Sequence, residues 1–391
     1  MGDHEHEQIL DVTIEAVRDR FHTLNVPYAY FDGPAGTQVP DSVLEAVSGY
    51  MLAANANAGG KFLTSMVTDD VIASARAAAS DLLGVMTDEV TFGPNMTSLN
   101  FHLSRTASRD WQAGDEVVAT RLDHDANIAP WLELAEDRGV VVKLVDLDGE
   151  CRIDLDHLRS LLSDRTRVVA FPMASNAVGT ITPFREIVEL AHDAGALAWV
   201  DAVHYAPHGD IEIPELGCDV LLCSPYKFYG PHLGLAWVRR ELSESWRPYK
   251  VRPAADTPGQ RHETGTLQHE LLCGFVACVE YLHGVGWNFI AQHERTLGQR
   301  FLDGIPDGWV LHGPPTMEGR VPTFCLTPPD ERPEDVAIRL GAAGFAVWHG
   351  NNYAVEVFKH LGLDDGAVRV GIVHTNTEDE VDRLLAALSA P

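Results

Sequence analysis

Four polar side chains of the sequence follow or end short apolar runs. Lys227, one of only five lysines in the 391-residue chain, comes after DVLLCS, and Asp201 ends the run ALAWVD. Asn176 and His124 follow two further apolar runs, in the segments SNAVGT and RLDHDANIAPW. Ligands of an open parallel sheet bind where strands end and helices begin, so we expect these four side chains to face one ligand.

A lysine, a carboxylate and an imidazole in one place are suited to pyridoxal phosphate. The aldehyde of that cofactor attaches covalently to a lysine amine, and its ring nitrogen keeps a proton beside a carboxylate. Burial and cationic neighbours would lower the pKa of Lys227 far enough for its amine to act as a base. The sequence therefore favours a pyridoxal phosphate site around Lys227.

Apolar runs and helical patterns alternate from about residue 65 to residue 240. The predicted strands are DEVVAT, GVVVKLVDL, TRVVAFPMAS, ALAWVDAV and DVLLCS, which are almost entirely apolar and β-branched. The predicted helices are TDDVIASARAAASDLLGV (Thr68 to Val85), NIAPWLELAEDRG, DLDHLRSLLSD and PFREIVELAHDAG. Such alternation predicts a mostly parallel sheet covered on both faces. The Pro- and Gly-rich segment from Arg247 to Glu270 is predicted to be a functional loop, followed by a smaller α+β domain.

Composition excludes several classes of partner. The net charge of −28 argues against a nucleic-acid-binding surface and against binding to an anionic membrane. The N-terminal segment has no signal-peptide pattern, and no apolar run is long enough to span a bilayer. The six cysteines contain no C-x-x-C pair, which is typical of free thiols in a reducing compartment. We therefore expect a cytoplasmic protein that binds neither nucleic acid nor membrane.

The segments VDAVHYAPH, CSPYKFYGP, SNAVGT, HDANIAPW and HETGT together resemble the class V aminotransferase group of fold-type I pyridoxal phosphate enzymes, most closely its cysteine desulfurase-like branch. The resemblance extends from Tyr30 to Leu384. It implies an α/β fold with a large cofactor-binding domain at residues 30–270, built on a mostly parallel seven-stranded sheet. Residues 1–29 and 271–391 would form a smaller α+β domain. It also implies an amino-acid substrate and a homodimer with a shared active site.

The resemblance implies a role for each residue around the cofactor. Lys227 would hold the cofactor and shuttle protons, Asp201 would pair with the ring nitrogen, and His124 would stack on the ring. Further implied cofactor contacts are Asn176 near the hydroxyl, His204 where relatives usually carry a glutamine, Ser224 and Tyr226 at the phosphate, Asn95 and Met96 in place of a threonine pair at the phosphate, and Thr266 contributed by the other subunit. The implied substrate contacts are Arg369 on the α-carboxylate, Asn176, Ala35, Tyr353, Asn352 and His349.

The sequence departs from the cysteine desulfurase branch at the residue that takes up sulfur. In that branch a cysteine thiolate accepts sulfur as a persulfide. The corresponding position, in VWHGNNYAVEVFKHLGL, is Tyr353, and no cysteine follows Cys325. We therefore expect a C–S β-lyase that acts on cysteine, cystine or an S-conjugated cysteine without persulfide transfer.

Other functions remain open from the sequence alone. The same cofactor could serve transamination, epimerisation or decarboxylation-dependent deamination of a modified amino acid, and an epimerase would need a second base, for which His349 is a candidate. A binding protein that kept the fold without the cofactor is a third hypothesis. The presence of Lys227, Asp201 and Arg369 together speaks against it.

Two smaller patterns have competing interpretations. His204 and His208 have an H-x-x-x-H spacing, which we interpret as structural or cofactor-related, so that no metal site is predicted. Asn351 and Asn352 either form a turn, because asparagine tolerates the left-handed conformation, or face the substrate.

Overall fold

The computed structural model describes residues 12–390, which form helices packed around a large central sheet and a smaller second sheet. The helices are α1 (Ile14–Arg18), α2 (Asp41–Ala53), α3 (Leu63–Leu83), α4 (Met96–Ala107), α5 (Ala129–Arg138), α6 (Leu155–Leu161), α7 (Phe184–Asp193), α8 (Ile213–Leu216), α9 (Arg240–Ser245), α10 (His269–Val285), α11 (Trp287–Gly304), α12 (Pro333–Ala342), α13 (Val355–Leu361) and α14 (Glu378–Ser389). The strands are β1 (Ala29–Tyr30), β2 (Val90–Gly93), β3 (Glu116–Thr120), β4 (Val141–Val145), β5 (Thr166–Pro172), β6 (Leu197–Asp201), β7 (Val220–Cys223), β8 (Gly234–Val238), β9 (Val310–His312), β10 (Thr323–Thr327), β11 (Phe345–Ala346), β12 (Trp348–Gly350) and β13 (Ala367–Gly371).

The large sheet contains seven strands in the order β2-β8-β7-β6-β5-β3-β4. The pairs from β7 to β4 are parallel, whereas β8 is antiparallel to both β7 and β2. The predicted mostly parallel seven-stranded sheet is therefore confirmed. Strands β2 and β8 were not predicted from the sequence, and they pair with each other through Gly93 and Gly234. Glycine is depleted in strands, so these two runs lack a strong strand signal.

Helices cover both faces of the large sheet because successive strand residues point to opposite sides. Val118 and Val169 belong to one apolar cluster, together with residues of α3, α7 and α10. Their neighbours Val117 and Val168 belong to a second cluster, which contains residues of α4 and α5. Each fully buried side chain of this size contributes about 2 kcal/mol of hydrophobic stabilisation. The strands that carry the site are therefore the most deeply buried part of the fold.

Helix α3 begins at Leu63, five residues before the predicted start at Thr68. The sequence predicts a start at Thr68 because Asp69 and Asp70 resemble an acidic first turn. The true first turn contains Leu63 and Met66, which are 77% and 54% exposed. Apolar side chains on the solvent side of a helix break the amphipathic pattern from which its start is normally inferred.

The second sheet has four antiparallel strands in the order β12-β13-β10-β9. Its core contains Leu297 and Phe301 of α11, Leu340 of α12 and Leu384 of α14. Helix α10 begins at His269, where the predicted loop ends, and packs on α2 and α3. The division of the chain at residue 270 stays a prediction.

The carboxyl ends of β3, β5, β6 and β7 lie at one edge of the large sheet, because these strands are parallel neighbours. The loops that leave them carry the residues singled out in the sequence. Among residues 12–390, no helix is both long enough and apolar enough to cross a membrane.

Candidate active site

A cavity of about 810 Å³ lies at this edge of the large sheet and extends to β12 and β13 of the second sheet. Every site residue predicted from the sequence lines it except Thr266. The lining residues among the predictions are Ala35, Asn95, Met96, His124, Asn176, Asp201, His204, Ser224, Tyr226, Lys227, His349, Asn352, Tyr353 and Arg369. Thr266 is exposed, in the loop before α10. Its proposed contact with the cofactor of a second subunit stays a prediction.

Lys227 ends a short helical turn, Pro225–Lys227, directly after β7. Its Nζ donates a hydrogen bond to the carbonyl oxygen of Pro34 at 2.6 Å. Burial, and next the positive charge of Arg369, lower the pKa of this lysine to about 7. A substantial fraction of the amine is therefore neutral at physiological pH, which both nucleophilic attack and proton abstraction require.

Asp201 is the last residue of β6 and is 5% exposed. Its Oδ1 accepts a hydrogen bond from the backbone N–H of Val203 at 2.8 Å. Burial raises the pKa of this carboxyl to about 6, against the opposing effects of that hydrogen bond and of Lys227. A buried carboxylate with this pKa gains stability from a cationic N–H donor in the cavity.

His124 lies in the turn after β3 and presents a neutral ring to the cavity. Its Nδ1 accepts a hydrogen bond from the backbone N–H of Ala126 at 3.0 Å, which places the ring proton on Nε2. Burial, followed by the charges of Lys227 and Arg369, lowers the pKa of His124 to about 4. The turn is fixed by the fully buried Asp123, whose Oδ1 accepts from Asn127 Nδ2 at 2.8 Å.

The N-terminus of α4 forms another wall of the cavity. The backbone N–H of Met96 donates to Ser224 Oγ at 3.0 Å, so the Ser224 hydroxyl proton is free to point elsewhere. Asn95 caps the helix, because its side-chain oxygen accepts from the N–H of Ser98 at 2.8 Å. The first turn of a helix favours a bound anion. Gly234 permits this arrangement, since a Cβ there would lie 2.5 Å from the carbonyl carbon of Asn95.

Arg369 and Asn176 form a buried pair of polar groups with unused hydrogen-bonding capacity. Arg369 Nη1 donates to the carbonyl oxygen of Asn176 at 3.0 Å, and Arg369 Nε has no partner among the described residues. The side-chain oxygen of Asn176 also lacks a donor within residues 12–390. Burial lowers the pKa of Arg369 to about 10, and the guanidinium stays charged. These groups are suited to a ligand that has both an anionic and a hydrogen-donating part.

His204 lies in the loop after β6, with its Nε2 3.0 Å from Thr323 Oγ1. Burial, followed by the nearby His208, lowers the pKa of His204 well below its ordinary value, so the ring is neutral. The Nδ1 of His208 lies 2.7 Å from Glu294 Oε2 and is not available to the cavity. In the described part of the chain, no three His, Cys, Asp or Glu residues are grouped so as to hold a metal ion.

The mouth of the cavity is formed by residues 348–353, here called the mouth segment. Asn352 and Tyr353 have φ angles of +52° and +59°, a left-handed conformation that costs a bulky side chain about 1 kcal/mol. Two hydrogen bonds hold the mouth segment in place. Asn176 Nδ2 donates to the carbonyl oxygen of Asn352 at 2.8 Å, and the backbone N–H of Asp125 donates to the carbonyl oxygen of Tyr353 at 2.7 Å. Asn352 therefore forms a turn and also lines the cavity, so the two interpretations of the sequence are compatible. A contact between Asn352 and the substrate stays a prediction.

The family profile described as Aminotransferase class-V matches residues 29–384. The chain belongs to the class V aminotransferase family. It is 32% identical over 380 residues to a cysteine desulfurase of Synechococcus elongatus, and the alignment covers 93% of this chain but spans 60% of the length of that relative. It is also 32% identical over 396 residues to the aminotransferase-like protein FGM3 of Gibberella zeae, with 96% of this chain and 98% of that protein covered.

The solved structures agree with this assignment. The apo structure of a cysteine desulfurase from Thermococcus onnurineus NA1 superposes with a TM-score of 0.91 at 26% identity, covering 96% of each chain. The fold-type I architecture predicted from the sequence is therefore confirmed. The chain is a cysteine desulfurase-like, pyridoxal phosphate-dependent enzyme.

The cavity of this class V aminotransferase fits pyridoxal phosphate. Lys227 offers an amine with a lowered pKa, and Asp201 offers a buried carboxylate for the ring nitrogen. The side-chain oxygen of Asn176, which lacks a donor in the described part of the chain, suits the cofactor hydroxyl. Ser224 and the N-terminus of α4 suit the phosphate. The backbone N–H of Met96 is already bonded to Ser224 Oγ and its side chain is buried, so its contact with the phosphate stays a prediction.

Several residues on or near the cavity were not identified from the sequence, among them Asp32, Trp348 and Phe101. Asp32 does not line the cavity but is near both Lys227 and Arg369, and burial raises the pKa of its carboxyl. Trp348 and Phe101 line the mouth and one wall. A signal for Asp32 was available, because the Gly-Pro pair that follows it in YFDGPAG marks a turn after an apolar run. Trp348 and Phe101 carry no such signal.

None of the six cysteines lines the cavity, and all are free thiols. Five are buried, and Cys273 is partly exposed. Burial raises the pKa of each thiol, to about 11 in Cys151 and about 12 in Cys325. Such thiols remain protonated and are poor nucleophiles at neutral pH. The cytoplasmic location expected from the free thiols stays a prediction.

Proposed function

We propose that this enzyme is a C–S β-lyase that cleaves cysteine, cystine or an S-conjugated cysteine. The observation that carries the proposal is the residue at the cavity mouth, where Tyr353 takes the place that a persulfide-forming cysteine has in the branch it resembles. The position of all six thiols away from the cavity supports it. Because no thiolate at the mouth can accept the sulfur atom, the sulfur is expected to leave the substrate as a thiol that still carries its substituent.

The side chains of the cavity divide this reaction between them. Pyridoxal phosphate held by Lys227 and Asp201 would supply an electron-withdrawing group for the electron pair left when the Cα–H bond of an amino acid breaks. Arg369 binds the α-carboxylate and orients the substrate, and Lys227 Nζ accepts the Cα proton. The Cβ–S bond then breaks with its electron pair on sulfur, which takes up a proton. Addition of water then gives pyruvate from the three carbons, and the amino nitrogen leaves as ammonia.

Purified enzyme loaded with pyridoxal phosphate is expected to release pyruvate and a thiol in equal amounts from at least one substrate among cysteine, cystine and S-substituted cysteines. Pyruvate can be followed with lactate dehydrogenase and the thiol with a disulfide reagent. Omission of the cofactor is the control. Release of neither product from any of these substrates contradicts the proposal, and a cofactor left in its amine form would indicate transamination instead.

We also propose that the enzyme works as a homodimer in which Thr266 completes the phosphate site of the partner. Thr266 is exposed and does not line the cavity of its own chain, which supports a role in a second cavity. The end of α2 and the start of α3 leave apolar side chains exposed, including Leu52 at 89% and Leu63 at 77%. Exposed apolar groups of this size often mark a contact with another chain.

Light scattering of the purified chain is expected to give a mass of twice 42.8 kDa. Leu63→Glu should shift the mass towards the monomer and weaken cofactor binding by about tenfold, since one phosphate contact contributes roughly 1–2 kcal/mol. Thr266→Ala should weaken cofactor binding similarly while the dimer stays intact. A fully active monomer would refute the shared site.

A further inference from the structure

We infer that Tyr353 and Trp348 select amino acids whose side chain ends in a neutral aromatic or apolar group. The inference rests on the proposed C–S lyase activity, and it names the kind of S-substituent that the same cavity accepts. Its basis is the pair of aromatic rings at the mouth, the fixed distance between this mouth and the carboxylate-binding end, and the charges along the cavity walls.

The mouth presents aromatic rings that no part of the described chain covers completely. Tyr353 is 71% exposed and Trp348 is 48% exposed, and both line the cavity. The Tyr353 ring stacks on His124, with centroids 5.6 Å apart and planes inclined by 23°. Aromatic side chains supply a large contact area at little entropic cost, so an exposed pair at a ligand cavity is suited to bind a flat or apolar group.

The mouth is rigidly connected to the end of the cavity that binds the carboxylate. Trp348 pairs with Arg369 across the strands β12 and β13. The carbonyl oxygen of Tyr353 accepts from the N–H of Asp125, beside His124. An amino acid held by Arg369 must therefore extend its side chain along the wall towards these rings. The cavity has a volume of about 810 Å³, which the cofactor and the amino acid share, and its end near Trp348 and Tyr353 lies beyond the residues assigned to the cofactor.

Charge along the walls excludes one class of substituent. Within residues 12–390, Lys227 and Arg369 are the only lysine and arginine that line the cavity, and both are assigned to the reacting end. The carboxyl group of Asp125 also lines the cavity, next to His124, and it is near both Glu356 and Lys359, which lie outside the lining. A substituent with its own carboxylate would meet the acidic group of Asp125 and would find no cation on the cavity wall beyond the reacting end, which lowers its affinity.

Binding can be measured without C–S cleavage by using amino acids in which a CH₂ group replaces sulfur. L-Homophenylalanine corresponds in this way to S-phenylcysteine, L-norvaline to S-methylcysteine, and L-2-aminoadipate to S-carboxymethylcysteine. Calorimetry on the cofactor-loaded enzyme gives the three dissociation constants. We expect homophenylalanine to bind about tenfold more tightly than norvaline, and aminoadipate to bind more weakly than norvaline.

Variants at Tyr353 test whether its aromatic ring causes the preference for homophenylalanine over norvaline. Tyr353→Asn removes one of the two rings but keeps a residue that tolerates the left-handed backbone, and it should reduce the preference for homophenylalanine over norvaline severalfold, with Trp348 retained. Tyr353→Phe should keep the preference within about twofold, because the ring is retained. Tyr249→Ala removes a tyrosine that is 44% exposed and does not line the cavity, and it should leave the preference unchanged.

The outcomes separate this inference from the proposed activity. An unchanged preference in Tyr353→Asn, or aminoadipate binding as tightly as homophenylalanine, would overturn the inference even if pyruvate is formed from cysteine derivatives. A ring-dependent preference without pyruvate from any cysteine derivative would support the inference and refute the lyase.

Discussion

Lys227→Ala is expected to lower kcat by about a thousandfold or more, because the variant lacks the base that accepts the Cα proton. The variant should also lose covalent attachment of pyridoxal phosphate. Borohydride reduction followed by peptide mass spectrometry should locate the cofactor on Lys227 in the wild type and on no lysine in the variant. The matched control is Lys61→Ala, which removes an exposed lysine that does not line the cavity. Cofactor bound covalently to another lysine would refute the assignment.

The same prediction has a pH dependence that follows from burial. The pKa of Lys227 is lowered to about 7, so its reactive neutral form prevails above that pH and its protonated form below it. The rate at which the apoenzyme captures the cofactor should therefore rise with pH, with a midpoint near 7 in the absence of other titrating groups. Stopped-flow absorbance measures this rate. A midpoint near the ordinary value for lysine would contradict the buried position.

Arg369→Gln is expected to raise KM for an amino acid by about 100-fold, with a smaller effect on kcat. A paired guanidinium contributes roughly 3 kcal/mol to the binding of a carboxylate, and glutamine retains hydrogen bonding without the charge. Steady-state kinetics with one substrate gives KM and kcat separately for the wild type and the variant. For an analogue that lacks the carboxylate, the wild type and the variant should bind equally, and a large difference there would contradict the assigned contact.

The loss of the Arg369 charge should also raise the pKa of Lys227. The charge of Arg369 is the second cause, after burial, that lowers the pKa of Lys227. Removing that charge raises this pKa, so the midpoint of cofactor capture should move to higher pH in Arg369→Gln. Arg320→Lys is the control, because Arg320 is equally buried but its terminal nitrogens donate to the backbone carbonyl oxygens of Pro314, Val178 and Thr323. It should change the melting temperature and leave the midpoint unchanged.

The parts of the site that follow single strands could be predicted from the sequence. Lys227 and Asp201 stood out because each comes at the end of an apolar run, and the ends of parallel strands converge at one edge of a sheet. Trp348 could not be assigned in this way, and the turn signal at Asp32 did not indicate which residues it lies near. Trp348 lines the cavity, and Asp32 comes near Lys227 and Arg369, through pairing of short segments whose apolar pattern is too brief to specify a partner. Sequence spacing contains little information about such contacts.

The sequence by itself determined the fold class and the cofactor and predicted Lys227 as the reacting lysine, because these depend on local periodicity and on residue types that few other functions require. Only the tertiary structure decided how those groups behave. Burial, a property of the assembled fold, lowers the pKa of Lys227 and raises that of Asp201. The tertiary structure also decided that Tyr353 lies against His124 at the mouth of the cavity, since that contact joins residues more than 200 positions apart.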